Sequence, residues 1–259
     1  MELIRHTNNA AMKTIEYGKE NSTIIMLLHG GGLSWWNYRD EAEVLKENYH
    51  IILPVLDGHA DSDKPFTSIE NNAKEIIEYL DNNYHGKVLA IAGLSLGAQI
   101  LVEILSQRKD ICKYAIIESA LVLPMKTTAA LIGPSFEMSY GLIKQEWFSK
   151  LQFKSLKIQD KLYDDYYRDT CKISKQNMIS FLKANSSYTL KSSLKNTTAK
   201  VTILVGSKET KIMLHSADVL HDTIPNSNLQ ILSQYYHGEF SLNHPKEYVD
   251  LLTHLLSAQ

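Results

Sequence analysis

Val88-Leu89-Ala90-Ile91-Ala92-Gly93-Leu94-Ser95-Leu96-Gly97-Ala98-Gln99 is the stretch on which the reading of this chain turns. An apolar run suited to a buried strand passes into Gly93-x-Ser95-x-Gly97, then into a helical pattern at Ala98, Leu101, Val102 and Leu105. A turn between strand and helix is tight, and glycines on either side of the serine let neighbouring backbone pass close. Such a turn lifts the Ser95 hydroxyl clear of the sheet and aims a helix N-terminus at it. The Leu96 N–H then points to where negative charge would develop on an attacked carbonyl. Taken alone, the motif also fits a glycine-rich turn with an incidental serine, so its neighbours have to decide.

Along the rest of the chain, short β-rich runs alternate with helical periodicities, the pattern of a mostly parallel sheet with helices on both faces. Residues 23–28, 51–55, 88–92, 115–121 and 201–205 are near-continuous apolar runs, as buried parallel strands should be, and 229–232 reads as one more. Ile69, Ala73, Ile76, Ile77 and Leu80 form one stripe of a helix, and Tyr248, Leu251, Leu252, Leu255 and Leu256 form another that opens at Pro245. Residues 2–18 are expected to make an antiparallel hairpin at the sheet edge. Residues 124–195 interrupt the alternation, and ten of the chain's aromatic residues fall there. An aromatic-rich helical insertion after a strand end suits a lid over an apolar pocket, although rings can also simply hold an insertion together. The expected fold class is therefore α/β: one domain over residues 1–259 with a helical lid at about 124–195.

Two further segments point to the same chemistry. His29-Gly30-Gly31-Gly32 ends the first long buried strand, and small residues there let a backbone N–H approach a substrate. Gly31 is the expected second oxyanion donor beside Leu96, with Gly32 in reserve, and His29 is expected to orient the loop. Downstream, Gly206-Ser207-Lys208-Glu209 follows a strand and places a carboxylate three residues past a glycine. His237 stands in the loop after the next strand. It is the candidate base, because imidazole can take a proton from serine near neutrality and return it to a leaving group. His244 is the rival; it abuts Pro245 and reads better as a capping residue. Glu209 is the favoured carboxylate partner. Trp35, Trp36, Tyr140, Trp147 and Gly32 are candidate pocket residues.

The composition excludes other classes. With 27 Lys and Arg against 29 Asp and Glu, a net charge of −2, the chain carries no footprint of nucleic-acid binding. The stretch from Val88 to Leu105 is broken by Gly93, Ser95, Gly97 and Gln99, so no membrane span is expected, and no secretory signal is read at MELIRHTNNA. Cytoplasmic localisation is the corresponding expectation. The two cysteines, Cys112 and Cys171, read as buried thiols. No zinc motif occurs among the ten histidines; no cofactor and no metal are expected.

From roughly Thr23 to Leu256 the chain resembles the α/β-hydrolase superfamily, in its small, lid-bearing serine hydrolase branch. The resemblance includes Leu56-Asp57-Gly58-His59-Ala60-Asp61-Ser62-Asp63-Lys64-Pro65, similar to that family's loop after the second parallel strand, in which Asp57 and His59 would shape the turn. It implies Ser95 as nucleophile, His237 as base, and the Gly31 and Leu96 N–H groups as the oxyanion hole. The family more often has Asp where Glu209 stands, so a glutamate there needs its loop set back by about one methylene; some members instead supply the acid from the end of the preceding strand, the place of Glu118 here, which the resemblance makes the alternative to Glu209. A serine at the elbow, rather than a carboxylate, argues against epoxide opening and halide displacement, and for attack on a carbonyl. A small carboxylic ester is the expected substrate. Thioesterase, acyltransferase and carbon–carbon hydrolase chemistry stand behind it, and a binding module without turnover is the alternative from another class. Within 124–195 there are 12 Lys and Arg against 6 Asp and Glu. That basic balance either draws in anionic substrates or is simply a solvated surface.

Overall fold

A computed structural model describes residues 12–257. Among these residues seven strands, β1 (Thr14–Tyr17), β2 (Ile24–Leu28), β3 (His50–Pro54), β4 (Val88–Leu94), β5 (Cys112–Glu118), β6 (Lys200–Gly206) and β7 (Asn228–Leu232), form one sheet. Their order is β1-β3-β2-β4-β5-β6-β7, with β1 antiparallel to β3 and every other pair parallel. Of the N-terminal hairpin expected at residues 2–18, the described part is the edge strand β1, which pairs with β3; residues 2–11 lie outside the described residues. The central strands are buried on both faces, which is why they read as continuous apolar runs and not as alternation.

Six helices cover the sheet: α1 (Arg39–Leu45), α2 (Ile69–Tyr84), α3 (Leu96–Gln107), and, after the lid helices, α8 (Lys211–Thr223), the short α9 (Glu239–Asn243) and α10 (Pro245–Ser257). The apolar stripe of α2 is buried, and its start is capped by Ser68 Oγ, which accepts from the Asn71 N–H at 3.0 Å. The core lies on both faces of the sheet. One side is built on Met26, Ile52, Ile91 and α2, α3 and α8; the other on Ile25, Leu53, Ala92, Trp36 and α10.

Between β5 and β6 the chain inserts α4 (Lys126–Ile143), α5 (Glu146–Ser155), α6 (Tyr163–Lys172) and α7 (Lys175–Ser187), the lid-like insertion expected at 124–195. The sheet order reverses at the junction of β2 and β4, so the loops that leave these two strands diverge and open a crevice at their C-terminal ends. The lid sits over that crevice. Among the described residues no helix is long and apolar enough to cross a membrane. The stretch from Val88 to Leu105 is instead a strand, a turn and a buried helix.

Candidate active site

The turn after β4 shows why its sequence needs glycine. Ser95 is held at φ 53°, ψ −110°, between β4 and α3, a conformation disfavoured for any residue with a side chain. A Cβ on Gly97 would collide with the carbonyl oxygens of Leu28 and His29, and one on Gly93 with the backbone of Gly97. Both glycines are therefore required by close backbone approach, and together they let the strained turn present Ser95. The turn is anchored from behind, where the Ser95 N–H donates to the Glu118 carbonyl at 2.9 Å.

Two loops meet Ser95 from the far end of the sheet. After β6, the Glu209 N–H closes a turn on the Gly206 carbonyl at 3.1 Å, and the chain after β7 passes so near that a Cβ on Gly206 would strike the Tyr235 carbonyl oxygen. The Ser207 and Lys208 N–H groups donate to the carbonyls of Leu232 and Tyr235, both at 2.9 Å. The two loops are thereby stapled side by side. As a result His237 Nδ1 lies 2.7 Å from Glu209 Oε2, and His237 Nε2 lies 3.0 Å from Ser95 Oγ. Nδ1 donates to the carboxylate in the tautomer that leaves Nε2 free to accept from the serine.

The Glu209 carboxylate is fully spoken for. Its Oε1 accepts from Ser119 Oγ at 2.7 Å and from the Gly206 N–H at 2.8 Å, while Oε2 faces His237. Burial alone would raise its pKa; the hydrogen bonds from His237, Ser119 and Gly206 outweigh this and lower it, so the group is ionised near neutrality. The extra methylene of glutamate is accommodated because the side chain folds back onto its own loop. Ser119 was not singled out in the sequence. It stands at φ 56° just past β5, and no motif marks it.

Glu118, the alternative carboxylate, points elsewhere. Its Oε1 accepts from the Ser241 N–H at 3.2 Å, it is 2% exposed, and Oε2 has no protein partner among the described residues. Burial, reinforced by the Glu209 charge, pushes it up to about 7. His244, the rival base, stacks on Tyr235 with ring centroids 4.8 Å apart, and its nearest acidic neighbours are Glu239 and Glu247. His29 is buried and bridges two loops: Nδ1 faces the Gly30 carbonyl at 2.9 Å and Nε2 accepts from the Leu56 N–H at 3.1 Å. Burial holds its pKa well below the usual histidine range. His59 is buried beside it and lowered to about 4 by the same cause.

Gly31 and Leu96, the expected oxyanion donors, are neighbours: a Cβ on Gly31 would stand 3.5 Å from Leu96. Among the described residues neither N–H is given to a backbone acceptor outside the regular elements. Two cavities meet here. A cleft open to solvent contains Ser95 and His237 and is walled by Leu33, Leu94, Ile158 and Leu242. A second chamber, open to solvent, extends under the lid, and Gly31 and Leu156 line both. Gly32 lines the chamber. The other expected pocket residues are not at either wall. Trp36 is buried and donates through Nε1 to Asp169 at 2.8 Å, Trp35 packs on the body beneath Arg39, and Tyr140 donates to the Ile173 carbonyl at 2.7 Å. Trp147 is 62% exposed on the outside of α5. Aromatic type alone did not distinguish a ring that lines a pocket from one that fastens the lid. Among the described residues no lysine lines either cavity. Cys112 is buried and Cys171 half-buried, both as free thiols. No group of three or more metal-ligating side chains occurs among the described residues.

The model of the alpha/beta hydrolase family matches residues 25–250. The chain belongs to this family. Among solved structures it is similar to an esterase from Exiguobacterium antarcticum (TM-score 0.80, 17% identity, covering 95% of this chain and 96% of that one). It is also similar to a carboxylesterase structure from the thaumarchaeon Nitrososphaera gargenis (TM-score 0.78, 18% identity, covering 95% and 94%). These likenesses share the fold. A soluble epoxide hydrolase from Corynebacterium sp. strain C12 is 26% identical over 121 residues, which is 46% of this chain and 40% of that protein's own length. Family membership makes this a hydrolase-fold enzyme.

Proposed function

We propose that the protein is a serine hydrolase that cleaves a small carboxylic ester through an acyl-enzyme on Ser95. The observation that carries this reading is the continuous chain from Ser95 Oγ to His237 Nε2 at 3.0 Å and from His237 Nδ1 to Glu209 Oε2 at 2.7 Å. In this reading Ser95 Oγ attacks the ester carbonyl carbon as His237 Nε2 takes its proton. The carbonyl oxygen gains negative charge, and the N–H groups of Gly31 and Leu96 receive it. His237 then gives the proton to the departing alcohol oxygen, leaving an acyl-serine. Water attacks the acyl group, its proton passes to His237 and on to Ser95 Oγ, and the acid is released. Glu209 stays ionised throughout and steadies the imidazolium.

The test is release of p-nitrophenol from acetyl, butyryl and octanoyl esters by the wild type, Ser95→Ala and His237→Ala. Turnover by the wild type is expected, with a loss of at least about 10³-fold in each variant. A folded wild type that releases nothing, or variants that match it, would overturn the reading.

A further inference from the structure

The ester's two halves do not have equivalent places to go. His237 has to protonate the departing alcohol, so the alcohol lies on the His237 side, in the cleft that contains that ring. The chamber under the lid contains Gly31 but not His237, which leaves it to the acyl arm. Most of its wall is apolar: Phe136, Ile143, Met178, Phe181 and Leu182 all face it. Three side chains break that pattern. Gln152 of α5 and Tyr166 and Thr170 of α6 also line the chamber.

These polar groups are not otherwise fully engaged. Thr170 is 5% exposed and its buried Oγ1 makes no hydrogen bond, the Tyr166 hydroxyl beside it standing too far or too poorly aligned for one. Tyr166 is 6% exposed and spends its hydroxyl on Gln152 Oε1 at a long 3.4 Å, which leaves the Gln152 amide N–H₂ to donate. A buried hydroxyl with no partner is costly unless something completes it. The donors available, from Thr170 and Gln152, complement an acceptor oxygen. Among the described residues no Lys or Arg lines the chamber, which matches a neutral acceptor oxygen such as a carbonyl better than a carboxylate.

We propose that Gln152, Tyr166 and Thr170 form a specificity subsite for an acyl chain that carries a carbonyl group along its length, so that the preferred substrates are esters of oxo-acids. This rests on the reading of Ser95 and His237 as nucleophile and base, which assigns the chamber to the acyl arm. An all-carbon chain would fill the apolar wall yet leave Thr170 Oγ1 unpaired, whereas an oxo chain would fill the wall and pair that hydroxyl.

The experiment compares kcat/KM for the p-nitrophenyl ester of octanoic acid with those of 3-oxo-, 5-oxo- and 7-oxo-octanoic acid. The same chains are titrated as amides by calorimetry, so that binding is read independently of turnover. Variants Thr170→Val, which keeps the shape without the hydroxyl, and Thr170→Ser, which keeps the hydroxyl, are carried through both measurements. In the wild type at least one oxo chain is expected to exceed the plain chain by about tenfold, in turnover and in affinity. Thr170→Val should bring that ratio close to one, and Thr170→Ser should retain it. Ser95-dependent turnover with no oxo preference would sink the subsite while the serine hydrolase reading stands. Absence of turnover from all four esters would sink that reading; the calorimetric ratios would still decide whether the chamber prefers an oxo chain. Loss of the preference equally in Thr170→Ser would show that the hydroxyl is not its source.

Discussion

Glu118 and Glu209 are the same residue type a short distance apart, and their surroundings drive them in opposite directions. Glu209 receives three hydrogen bonds and is lowered; Glu118 receives one, from the Ser241 N–H, inside a wall that also holds Glu41, Tyr38 and Tyr248, and is raised to about 7. A carboxyl whose folded pKa exceeds its ordinary value of 4.5 favours the fold in its neutral form. That contribution is present below about 4.5 and is lost as pH rises through about 7. Glu118→Gln stays neutral and still offers an oxygen to Ser241. Between pH 5 and pH 8 the wild type should therefore lose on the order of 2–3 kcal/mol more stability than the variant. Urea unfolding at the two pH values measures this; equal losses would mean that Glu118 is ionised across the range. The adjacent Ser119 hands its hydroxyl to Glu209, so one dipeptide at the end of β5 contacts the Ser95 turn, Glu209 and the segment after His237.

At the scale of elements, the turn between β4 and α3 depends on backbone proximity and not on side-chain chemistry. Gly97 faces the carbonyl oxygens that end β2, so Gly97→Ala has to push two elements apart. Gly32 stands at φ 77° with open space around its Cα, so Gly32→Ala meets only the conformational penalty of about 1–2 kcal/mol. Gly97→Ala is expected to abolish p-nitrophenyl ester turnover and to lower the thermal midpoint more than Gly32→Ala does. The reverse order in a melting experiment would contradict the close packing of α3 beneath β2. The motif around Ser95 was legible because each of its letters reports a local requirement: apolar strand, tight turn, helix. The lid aromatics were not, because ring type says nothing about direction. Trp36 and Tyr140 turned out to spend their polar tips on the lid itself, and Trp147 faces outward.

Across the whole molecule, the lid is fastened to the body by polar links. The buried Asp169 of α6 accepts from Trp36 Nε1 at 2.8 Å and from Arg168 at 2.7 Å, Arg39 pairs with Asp165, and Lys161 reaches Asp40 at 2.5 Å. The Asp169 side chain is 0% exposed, so removing one of its donors leaves part of a buried charge unanswered. Trp36→Phe is expected to cost roughly 2–4 kcal/mol, from the lost hydrogen bond to a charged group and the lost ring volume. Hydrogen exchange should quicken along α6 in this variant. Unchanged protection there would assign the fastening to the outer pairs, Arg39–Asp165 and Lys161–Asp40. A lid held by such links is also what places Thr170 and Tyr166 over the chamber.

By itself the sequence determined the parallel sheet, the place of the lid and the identity of Ser95, Glu209 and His237 as candidates, because hydrophobic periodicity and glycine spacing are local consequences of strand burial and turn geometry. That His237 reaches Glu209 and not Glu118, that Ser119 braces Glu209, and that Gln152, Tyr166 and Thr170 share one chamber depends on the folded molecule. Those relations join segments tens of residues apart, and they exist only once β5, β6 and β7 lie side by side and the lid has folded back over their ends.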